Sequence, residues 1–138
     1  MTPTGLYRTA SMLHVLATAG NTYAVVRFWQ AGGALNSMPL PEDHRVKYGP
    51  VVLALGVFCS MCIAFASYLS WHLGQLAKTA PHAIGNVGWA LFVYQILGVY
   101  VSFSQLSGVV RMLSVALAIC TGSAAWLTRR SGVTTQAD

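Results

Sequence analysis

Between Tyr48 and Trp71 the chain reads YGPVVLALGVFCSMCIAFASYLSW, without one Asp, Glu, Lys or Arg. A helix rises about 1.5 Å per residue, so a stretch of this length matches the roughly 30 Å hydrocarbon core of a bilayer. A soluble fold has no use for it. The expectation is a transmembrane helix over 48–72. Gly49-Pro50 would open it, where the missing proline amide costs nothing. Tyr48, Tyr68 and Trp71 suit the interfacial aromatic belt.

Composition extends this reading to the whole chain. Of 138 residues, 55% are hydrophobic and 8% charged, and the mean hydropathy is +0.57. Such a chain cannot cover a globule with polar surface, which points to one small polytopic membrane domain over 1–138. The formal charge of +5 comes from eight Lys and Arg against three acids. The bases are scattered from Arg8 to Arg130, as juxtamembrane anchors are, and form no nucleic-acid patch. Cys59, Cys62 and Cys120 all fall in apolar segments, which argues against a secreted disulfide framework.

Taken in order, residues 1–7 are too short and mixed to form an element. The run 8–30 is long enough to span, but carries His14, Asn21 and Arg27, a polar side that should face protein. A signal peptide cleaved after Ala17-Thr18-Ala19 is disfavoured by the broken apolar region. Gly32-Gly33, Pro39 and Pro41 make 31–47 the longest loop. A polar connector over 73–85 separates the second span from a third at about 86–103. A turn at 104–107 leads to a fourth span at about 108–127, and 131–138 reads as a tail. The predicted fold is an all-α, four-helix transmembrane bundle in a multi-pass integral membrane protein, with both termini on one side.

In that topology the first loop and the start of the fourth span share a membrane face. Glu42, Asp43 and His44 then approach Arg111, a charge one turn inside the bilayer that needs a partner. Asn21 and Gln95, mid-span, each want a hydrogen bond within the bundle, and Tyr94 lies beside Gln95. Together these residues outline a polar cleft. Its catalytic set would be Glu42 or Asp43 as acid, His44 as base and Arg111 as the group that orients the carboxylate. Asn21, Gln95 and Tyr94 would bind substrate. A carboxylic acid in greasy surroundings beside a histidine can open an epoxide, close a ring or move a double bond in a lipophilic small molecule. The competing reading of the same loop is a solvated run of charge.

Cys59-Ser60-Met61-Cys62 resembles the dithiol of the four-helix vitamin K epoxide reductases. It sits mid-span with no second pair to relay electrons, and reads as two small apolar side chains. His14, His72 and His82 show no metal-ligand spacing and read as interfacial histidines, so neither metal nor cofactor is expected. Gly108, Ala116, Cys120 and Ala124 give the last span a small-residue flank for close packing, within the chain or between copies.

Arg8-Thr9-Ala10, Gly20, Tyr48-Gly49, Trp71-His72-Leu73-Gly74-Gln75-Leu76-Ala77 and Pro81 carry a resemblance to a poorly characterised group of small four-span integral membrane proteins. That group often has His after the first-span glycine, where this chain has Asn21. In size and layout the chain is also similar to the small membrane epoxide hydrolases and cyclases of fungal polyketide pathways. The second likeness implies acid/base chemistry on a lipophilic substrate in biosynthesis. The alternative is a non-catalytic accessory or scaffold subunit of a larger membrane complex. Membrane lipid and further copies of the chain are the expected partners, and nucleic acid is not.

Overall fold

A computed structural model describes residues 2–30, 42–105 and 108–134, with side chains at 2–30, 50–104 and 108–130. The protein is all-α. Helices α1 (Pro3–Gln30), α2 (Glu42–Thr79), α3 (Gly85–Gln105) and α4 (Gly108–Thr134) follow one another, with a 3-10 turn at Pro81–Ala83. No strand occurs among the described residues. Three segments, Pro50–Thr79, Gly85–Ser104 and Gly108–Arg130, are long and apolar enough to cross a membrane. α1, at 28 residues, has the length but is not among the three; His14, Asn21 and its hydroxyl-bearing residues dilute its apolar character.

The helices outrun the expected spans at several ends. α1 starts at Pro3, because Thr2 Oγ1 accepts the Gly5 amide at 3.2 Å and caps the first turn. Leu6 and Tyr7 are then buried, and 3–7 belongs to α1. α2 continues through Pro50 and starts at Glu42. Residues 42–47 are therefore helical and not loop. α2 also runs on to Thr79, so most of the supposed connector is its last turns, with Leu73 2% exposed. At 38 residues, α2 has a contour of about 57 Å.

Two units emerge from the contacts: Met1–His14 with Ala66–Asp138, and Val15–Phe65. In the first, α3 packs along α4, and α4 also meets the 3-10 turn. Its core is Leu6, Tyr7, Ala66, Leu73, Ile84, Leu91 and Ala124. The inward stripes combine apolar with small or hydroxyl residues: Ala10, Ser11 and His14 on α1, Ala66, Ser67 and Ser70 on α2, Ser114, Ala118, Thr121, Ala125 and Thr128 on α4. Large apolar side chains such as Met12, Leu97 and Met112 point outward, 61–76% exposed. This inversion suits helices in lipid, where hydrocarbon is as apolar as leucine and close backbone approach holds helices together. The inward hydroxyls of Ser70, Thr121 and Thr128 donate to carbonyls one turn earlier, at 2.7, 2.8 and 2.7 Å. Those three hydroxyls are thereby satisfied without a partner on another helix.

In the second unit, α1 and α2 close on each other at Gly56. A Cβ there would sit 2.6 Å from Val25 Cγ2, so the contact depends on the missing side chain.

Candidate functional site

The polar groups that sequence singles out are placed by the inward stripes, and most are engaged by a neighbouring helix. Ser11 and Ser67 form a reciprocal pair: each hydroxyl donates to the other residue's carbonyl at 3.0 Å, with the oxygens 3.2 Å apart. One turn along α1, the His14 ring is 2% exposed. Its Nδ1 lies 2.8 Å from the Ala10 carbonyl, and its Nε2 lies 2.8 Å from Gln95 Nε2 on α3. A carbonyl only accepts, so Nδ1 carries the proton, and the Gln95 amide donates to the Nε2 lone pair. That assignment gives a neutral imidazole whose basic nitrogen is occupied by an amide.

His14 is thus a buried member of the helix interface and not the interfacial histidine that sequence suggested. Its signal was available: Tyr7, Ala10, Ser11 and His14 fall at three- and four-residue spacing on one face. His72 is exposed and stacks on Tyr68 with ring centroids 4.2 Å apart. His82 is exposed in the 3-10 turn.

Asn21 belongs to the second unit. Its Nδ2 donates to the Gly56 carbonyl at 3.1 Å and to Ser60 Oγ at 2.8 Å, and Ser60 Oγ donates to Gly56 O at 3.2 Å. Asn21 and Gln95 therefore lie in different units, each bonded within its own. Tyr94 is 42% exposed beside the buried Gln95. Arg111 is half-buried; its Nε donates to the Ser102 carbonyl at 3.3 Å and its guanidinium lies 5.6 Å from the Phe103 ring centroid. These contacts give the intramembrane charge partners on α3. The side chains of Glu42, Asp43 and His44 lie outside the described residues; their backbones form the first turn of α2.

Cys59 and Cys62 are both free thiols. Of the small-residue flank of α4, Ala124 is fully buried, Ala116 and Cys120 are half-buried and Gly108 faces open space; Gly122, outside that set, is where a Cβ would lie 2.6 Å from Phe92 Cε2. Replacing Ser11 and Ser67 together with alanine is expected to lower stability by about 1–2 kcal/mol. The denaturant midpoint of the protein in micelles reads this, and an unchanged midpoint would show that the pair contributes no net stability.

Compared with known family models, curated proteins and solved structures, the chain matches none.

Proposed function

We propose that the chain is a multi-pass integral membrane protein, with α1 as a fourth crossing, and that it serves as a non-catalytic accessory or scaffold subunit of a larger membrane assembly. The observation that carries this reading is the bareness of α2. Only 11% of its apolar window is buried by the chain itself. Leu55, Phe58, Met61 and Phe65, at three- and four-residue steps, are 62, 65, 66 and 64% exposed. Such a row can face lipid, as the outward side chains of the other helices do, or pack against another transmembrane helix, and this reading takes the second. A second copy of the chain is the simplest source. The buried polar groups support the same reading, because His14, Gln95, Asn21 and the serine pair are bonded to one another or to backbone, a structural use of polarity.

The second reading is a membrane-embedded acid/base enzyme of epoxide hydrolase, cyclase or isomerase type, acting on a lipophilic substrate. What favours it is that Glu42, Asp43 and His44 are consecutive in the first turn of α2. Helical backbone holds them closer to fixed positions than a loop would. Complementation of a deletion strain separates the two. The triple variant Glu42→Gln, Asp43→Asn, His44→Ala is expected to complement fully. Phe58→Ala with Phe65→Ala is expected to fail, and to run as a smaller particle in mild detergent. Loss of function in the triple variant at normal membrane abundance would establish the enzyme instead.

A further inference from the structure

We draw no further inference here: the strongest candidate, the groove of about 390 Å³ between α1 and α2 in the second unit, lined by Thr22, Val26, Trp29, Val57, Ser60 and Met61 among others, is walled mainly by exposed apolar side chains, and nothing among the described residues shows what covers it.

Discussion

Gly122→Leu is expected to be among the most damaging single substitutions in the protein, lowering stability by about 2–3 kcal/mol or preventing accumulation in the membrane. A Cβ at this position would lie 2.6 Å from Phe92 Cε2 and 2.9 Å from Cδ2, inside any real contact. Phe92 is half-buried, and its ring meets Trp89 edge to face with centroids 5.8 Å apart, so moving it disturbs that contact. Leucine must therefore either part α3 from α4 or displace two aromatic rings. The measurement is the denaturant midpoint in micelles, with Phe92→Ala added to the Gly122→Leu background. Shortening Phe92 should recover part of the loss, so the two changes will not add. Additive losses would mean that the leucine is accommodated elsewhere.

The second large effect is expected at the His14 and Gln95 pair. Gln95→Leu removes the amide that donates to His14 Nε2 at 2.8 Å in a site where both residues are under 5% exposed. A loss of about 1–2 kcal/mol is expected, the upper part of the range for hydrogen bonds between membrane helices. His14→Leu should cost a similar amount, and the double variant less than the sum. A coupling of about 1 kcal/mol in that cycle would report the bond itself; zero coupling would show that the ring and the amide act independently. The same pair bears on mechanism, since a histidine whose basic nitrogen already holds an amide proton is poorly placed to accept one from a substrate.

Much of the fold was legible because hydropathy is a long-range average. The uncharged run around Cys59 and the apolar stretches of α3 and α4 needed only counting. Helix ends were harder to read. Apolar character stops at the membrane edge, whereas backbone hydrogen bonding continues through Leu73–Thr79 and back past Pro50 to Glu42. The internal polar contacts were the least legible. Asn21 and Gln95 announced themselves as groups needing partners, but the partners are Ser60 and His14, 39 and 81 residues away. Ser11 and Ser67 carry no local signal, since serine suits a helix interface, a turn or a surface equally. Arg111 was legible as a charge in need of company. Its company proved to be the Ser102 carbonyl nine residues back, a backbone group that side-chain reasoning overlooks.

The length of α2 has a consequence for its charged ends. Of the helix's charged residues, Glu42, Asp43, Arg45 and Lys47 fall in its first six positions and Lys78 in its last turn. Thirty uncharged residues, 48–77, separate the two charged ends, a longer interval than one straight crossing needs.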